Sequence, residues 1–93
     1  MNQKLEKRWR YSLGVNLEKS VMELMKELIF AKNAPKPLKS AYLIKASSLI
    51  EIITLQLRLL LELNLENETK IFQAQSNLRE IGRMLGGWLR SLS

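Results

Sequence analysis

Between Leu38 and Leu63 the polar residues Ser40, Ser47, Glu51, Thr54, Arg58 and Glu62 form one narrow stripe. Almost everything else in the segment is apolar, including Leu43, Ile44, Ile50, Ile53, Leu57 and Leu60. A strand is the competing reading of the Ile-rich part, but an uninterrupted run of this length with no turn residue reads as a helix. A helix that is apolar around most of its circumference has to be covered on most sides. The rest of the chain must therefore supply elements that lie along it.

The flanking sequence supplies two. From about Arg10 to Lys32, the residues Gly14, Leu17, Val21, Leu24, Leu28 and Ala31 recur at spacings of three and four. Such spacing gathers them on one helical face. Leu13, Met25 and Ile29 widen the stripe, while Asn16, Lys19, Glu23, Lys26 and Glu27 fall on the other side. Glu23 has Lys19 and Lys26 four and three residues away for local pairing, and Glu27 stands next to Lys26. From about Glu68 to Leu92, the residues Ile71, Ala74, Leu78, Ile81, Leu85, Trp88 and Leu92 keep a three-four repeat without a miss.

Two punctuated breaks separate these stretches. Asn33-Ala34-Pro35-Lys36-Pro37 ends the first, because proline cannot continue a helical hydrogen-bond ladder and displaces its predecessor from helical geometry. Asn33 suits the left-handed position after a helix, and Pro37 suits the first residue of the next. In the second break Asn64 suits a C-terminal cap, and Glu66 or Asn67 an N-terminal one. Short connections between long helices predict antiparallel neighbours. The expected fold is all-α, an up-down antiparallel bundle of three long helices at about 10–32, 38–63 and 68–92, in a single domain over residues 1–93.

Residue types that are missing narrow the chemistry. The 93 residues include no Cys and no His, and all nine acids are Glu. Without these side chains there is no thiol nucleophile, no imidazole base and no donor set suited to zinc. Gly86-Gly87 is followed by Trp88, which excludes a phosphate-binding loop. The expectation is a protein without catalytic residues, metal or cofactor. The charged Met1–Arg10 segment has no apolar centre, so it does not read as a signal peptide. The most apolar stretch, Leu49–Leu65, carries Glu51, Arg58 and Glu62, which argues against a membrane span. A cytoplasmic location is expected, and Asn67-Glu68-Thr69 then carries no weight as a glycosylation sequon.

Fifteen Lys and Arg give a net charge of +6, which favours polyanionic partners, nucleic acid first. Three clusters stand out. Lys4, Lys7, Arg8 and Arg10 are interleaved with Trp9 and Tyr11. Lys32, Lys36, Lys39 and Lys45 surround the proline break, with no acid between Glu27 and Glu51. Arg79, Arg83 and Arg90 follow spacings of four and seven and share one face of the third helix with Gly86. Each cluster has a plain reading as a solvated face. For the arginine row a binding role is the better reading, because arginine's bidentate fork suits interfaces where lysine would serve solubility alone. Trp9 reads either as a base-stacking residue or as a cover for the end of the bundle. Gly82, Gly86 and Gly87 weaken a helix, so either the helix bends near Gly86 or another helix packs closely on the glycine surface. The unbroken repeat through Trp88 and Leu92 favours the second.

The segment Glu80-Ile81-Gly82-Arg83-Met84-Leu85-Gly86-Gly87-Trp88-Leu89-Arg90-Ser91-Leu92 resembles the C-terminal helix of the accessory variability determinant proteins of diversity-generating retroelements. Arg10-Tyr11-Ser12-Leu13-Gly14, followed by Leu17-Glu18, is similar to the opening of that family's second helix. The similarity extends over about residues 10 to 92, and through the middle of the chain it is one of pattern. The resemblance implies a four-helix bundle related to the small proteins encoded in ribosomal RNA intervening sequences. It implies a ring-like homopentamer with a basic surface, and partnership with a reverse transcriptase and its template RNA during mutagenic copying. Family members carry a further helix ahead of the Arg-Tyr-x-Leu-Gly segment, whereas nine residues precede Arg10 in this sequence, so the first helix is shortened or absent. Self-association is expected independently, because three helices leave a groove that a fourth would fill. A pentamer is the leading stoichiometry, and a dimer of mutually completing units the second. On this reading Arg8, Arg10, Lys36, Lys39, Lys45, Arg79, Arg83 and Arg90 contact the partners, and Gly82, Gly86, Gly87 and Trp88 mediate helix packing or assembly. The rival is a structural assembly module whose charge serves solubility.

Overall fold

The structure is a computed structural model that describes the backbone from Gln3 to Leu92 and the side chains from Lys7 to Leu92. Lys4, part of the N-terminal basic cluster, lies outside the described side chains. The described residues form three α-helices and no strand: α1 (Gln3–Asn33), α2 (Lys36–Glu62) and α3 (Glu68–Ser91). The molecule is a slender bundle with Cα extents of 52 × 19 × 13 Å. α1 begins seven residues earlier than the apolar periodicity predicts, so residues 3–9 form its first turns. No apolar row marks those turns in the sequence.

The ends of the helices are set locally. Pro35, with φ −59° and ψ 149°, stands at the N-cap of α2, and its carbonyl accepts from the Leu38 amide at 2.9 Å. Pro37 occupies the first turn, where a missing N–H costs nothing. Asn33 remains inside α1, and its side-chain amide donates to the Ile29 carbonyl at 3.0 Å. The expected left-handed residue after α1 is therefore not formed. It is formed after α2, where Asn64 has φ 54°. There the Leu65 amide donates to the Leu60 carbonyl at 3.0 Å and the Asn64 amide to Leu61 at 3.1 Å, a paired closure of the last turn. Asn67 then caps α3 through its side-chain oxygen, which accepts from the Lys70 amide at 3.2 Å.

The core is built on one side of α2. Leu43, Ala46, Ile53, Leu57 and Leu60 are buried there against Leu24 and Ala31 of α1 and against Ile71, Leu78 and Leu85 of α3. Phe30 of α1 meets Tyr42 of α2 in a tilted ring contact at 5.6 Å. An ideal Cβ at Gly82 of α3 would lie 3.9 Å from Ile50 of α2. Among the described residues, no Cα of α1 comes within 8 Å of a Cα of α3. α2 is thus the shared support on which both outer helices pack.

One expectation about faces needs correction, and another meets its counterpart. Within the described residues α2 is covered on one side only: Ile44, Ile52, Leu55, Leu59 and Leu63 stay exposed, an open apolar face of the kind that three helices were expected to leave. In α1 the buried row is rotated from the predicted one. Val21, Met25 and Ile29 are exposed, while Glu27, expected on the solvent side, is only 8% accessible. Its Oε2 is shut from solvent without a hydrogen-bond partner. Glu23 alone of the two acids makes the local pair, with Lys26 at 3.8 Å.

Candidate nucleic-acid and partner interface

The arginine row sits on an exposed flank of α3, about a third of a turn from the face that packs on α2. Ile71, Leu78 and Leu85 are buried at intervals of seven, and Arg79, Arg83 and Arg90 are all exposed on that flank. The same amphipathic period that buries the three apolar residues therefore aims the guanidinium groups at solvent. Arg83 forms an ion pair with Glu80, one turn earlier. Arg79 has no ion pair among the described residues. Phe72, seven residues before Arg79 and about half exposed, extends the row by one aromatic ring. The sequence reading missed Phe72, although its spacing from Arg79 was available.

The glycines lie beside the row. α3 continues through Gly86-Gly87 to Ser91, which excludes a helix end there. The Arg90 guanidinium folds back over both, with its Nη1 3.5 Å from an ideal Cβ on Gly86 and its Nη2 3.9 Å from one on Gly87. These are ordinary contact distances, so the fold of a single chain does not require glycine at either position. Trp88 is partly buried and packs on the core, in keeping with a packing role.

The lysines around the proline break separate into two kinds. Lys36 and Lys45 are exposed. Lys39 is tied down: its ammonium donates to the carbonyl oxygens of Ala31 at 2.9 Å and Lys32 at 3.0 Å. It satisfies two of the orphan acceptors at the C-terminus of α1 and places a positive charge at the negative end of that helix. Four lysines crowd this connection without an acid, and one of them has a cap to make.

The N-terminal cluster meets the other connection. Arg8 is exposed, as is Trp9. The Arg10 guanidinium approaches the Glu66 carboxylate at 3.9 Å. These two residues edge a shallow open cleft of about 150 Å³, with Gly14 and Leu17 of α1, Leu57 and Leu60 of α2, and Lys70 and Ile71 of α3 as its other walls. The cleft is an apolar floor rimmed by two cations and one acid. Residues of all three helices wall it.

Among the described residues, no cluster of three or more His, Cys, Asp or Glu is placed to hold a metal ion. No described helix is long and apolar enough to cross a membrane. No family model, curated protein or solved structure matches this chain.

Proposed function

We propose that this chain is a non-catalytic accessory protein of a diversity-generating retroelement, which binds the element's reverse transcriptase and template RNA in the cytoplasm. The exposed row of Arg79, Arg83 and Arg90 on the outer flank of α3 carries this reading. It combines a polyanion-binding charge pattern with the segment whose sequence resembles the accessory variability determinant family. Phosphate oxygens suit the guanidinium fork, and a rigid helix holds the forks in register. Arg8, Arg10, Lys36 and Lys45 add to a basic surface on a chain of net charge +6. Lys39 contributes field there while its ammonium caps α1.

The proposed arrangement is an up-down antiparallel bundle of the three helices. It is supported by the bonds of Lys39 to the end of α1, and by the shared cleft of Leu17, Leu57 and Ile71. In that arrangement Arg90 joins Lys36 and Lys45 at one end, and Arg10 and Lys70 mark the other. Homo-oligomerisation belongs to the same reading. A pentamer is the stoichiometry the resemblance implies. A dimer is the second reading, and the open apolar face of α2 favours it. The rival function, a structural assembly module without a nucleic-acid role, would use the same apolar face and leave the arginines to solubility.

One experiment separates the two functions. Structured RNA is titrated with the wild-type protein and with an Arg79→Glu, Arg83→Glu, Arg90→Glu variant, at about 50 and about 200 mM salt. Counterion release predicts a steep loss of wild-type affinity over that range, about a thousand-fold if six phosphates are neutralised. The variant should bind more weakly, with a shallower salt response and unchanged circular dichroism. Absent or salt-independent wild-type binding leaves the assembly module as the better reading.

A further inference from the structure

The outer face of α2 holds an apolar row that no described residue covers. Ile44, Ser48, Ile52, Leu55, Leu59 and Leu63 follow spacings of four, four, three, four and four, so they form one stripe along the helix. The five apolar members are exposed, with Leu55, near the middle, the most open at 61%. This stripe lies opposite Leu43, Ala46, Ile53, Leu57 and Leu60, which take up the core side. Single exposed leucines are ordinary, but a continuous row along a helix is the pattern of a covered seam.

The charges beside the row say what covers it. Glu51 and Arg58 are both exposed, both on the same flank of the stripe, four residues before Leu55 and three after it. Neither forms an ion pair among the described residues. When two identical helices lie antiparallel about a two-fold axis, each flank meets the same flank of its partner. With the axis at Leu55, residue 52 faces 58 and residue 51 faces 59. Glu51 of one copy then lies about one residue rise, roughly 1.5 Å along the axis, from the level of the partner's Arg58. The symmetry repeats the pair on the other side. The same register sets Leu55 against its own copy, places Ile52 beside Leu59, and places Ser48 beside Leu63. No like-charged residues of the stripe or its flank fall opposite one another.

We infer that the outer face of α2 is a homodimer seam, in which two copies pair antiparallel about Leu55 and close two reciprocal Glu51–Arg58 ion pairs. The inference rests on the reading that the chain self-associates, and is independent of any role in a retroelement. It departs from the pentameric ring, because a two-fold contact closes at two copies. The seam leaves the arginine row of α3 and the cleft beside Arg10 on other faces. A helix-on-helix contact of this length buries on the order of 1,000 Å² in total, near the lower bound of specific interfaces. Dissociation in the micromolar range is expected.

The chain has no cysteine, so one can be placed without interference. Leu55→Cys is expected to form an intermolecular disulfide under mild oxidation, because the two-fold brings each copy of position 55 against the other. Leu63→Cys, far from the axis, should not. Light scattering on the wild type at tens of micromolar should approach twice 10.8 kDa. Glu51→Arg should lower that mass towards the monomer, and combining it with Arg58→Glu should restore the dimer. A wild-type mass that stays at 10.8 kDa overturns the seam. A five-fold mass also overturns it, while supporting the ring. A dimer insensitive to Glu51→Arg and without the Leu55→Cys crosslink puts the contact on another face and overturns it equally. The RNA titration is indifferent to each of these outcomes, so the two proposals fail separately.

Discussion

The Lys39 ammonium donates to the carbonyl oxygens of Ala31 and Lys32, which end α1 without partners of their own in the helix. In the sequence Lys39 is one of four lysines in an acid-free stretch, and nothing local distinguishes it from Lys36 or Lys45. Only the crossing of α1 and α2 selects it. Glu27 presents the reverse case, since its place beside Lys26 in a charged stretch reads as surface and the packing buries it. The apolar arc of α1 is wide, from Leu17 through Val21 and Met25 to Ile29, so its buried centre could not be fixed from periodicity. Replacing Lys39 with Met keeps the aliphatic stem and removes both bonds. We expect a loss of about 1–2 kcal/mol, the scale of a partly buried cation at a helix C-terminus. A domain of this size should then melt roughly 4–16 °C lower. Thermal circular dichroism checks this, and an unchanged melting temperature would return Lys39 to the pool of free cations.

At the level of elements, the connection between α2 and α3 was legible because its chemistry is local. Asn64 takes the left-handed backbone and Asn67 bonds the third amide of the following helix, both within reach of their own neighbours. The first connection was less so, since Asn33 stays helical and Pro35 supplies the cap with backbone alone. Asn64→Gly should be neutral or slightly stabilising, because glycine adopts φ near 54° without a Cβ clash. Asn64→Ala should cost about 1 kcal/mol, the penalty for a left-handed L-residue. Urea unfolding of the two variants gives the comparison, and equal midpoints would mean that the turn is not held in this conformation. The two faces of α2 were also written in the sequence, as apolar character around most of the helix. Which face the chain covers was not, because Ile52 and Ile53 have the same chemistry and differ only in direction.

The whole molecule is decided by which helix touches which, and neither helix count nor break position contains that. Three helices and two short connections were readable, but the absence of close approach between α1 and α3 follows from the directions of Leu24, Ala31, Leu78 and Leu85, all turned towards α2. The candidate site was legible at the arginine row, whose exposure follows from the repeat of Ile71, Leu78 and Leu85, and illegible at the Arg10 cleft, which needs all three helices. The Cα traces of α1 and α3 nowhere come within 8 Å, so each outer helix leans mainly on α2. α3 contributes Ile71, Leu78 and Leu85 to the buried set, whereas α1 and α2 together contribute the other seven residues. We expect a hierarchy of opening, in which α3 detaches as a unit while α1 and α2 stay packed. Amide hydrogen exchange should register two tiers, with the amides around Leu78 exchanging through a smaller opening free energy than those around Leu43 and Ala46. One common value for both would mean that the three helices open together. If the tiers are present, the arginine-bearing helix is the part that can detach and re-dock on a polyanion while the remainder keeps its shape.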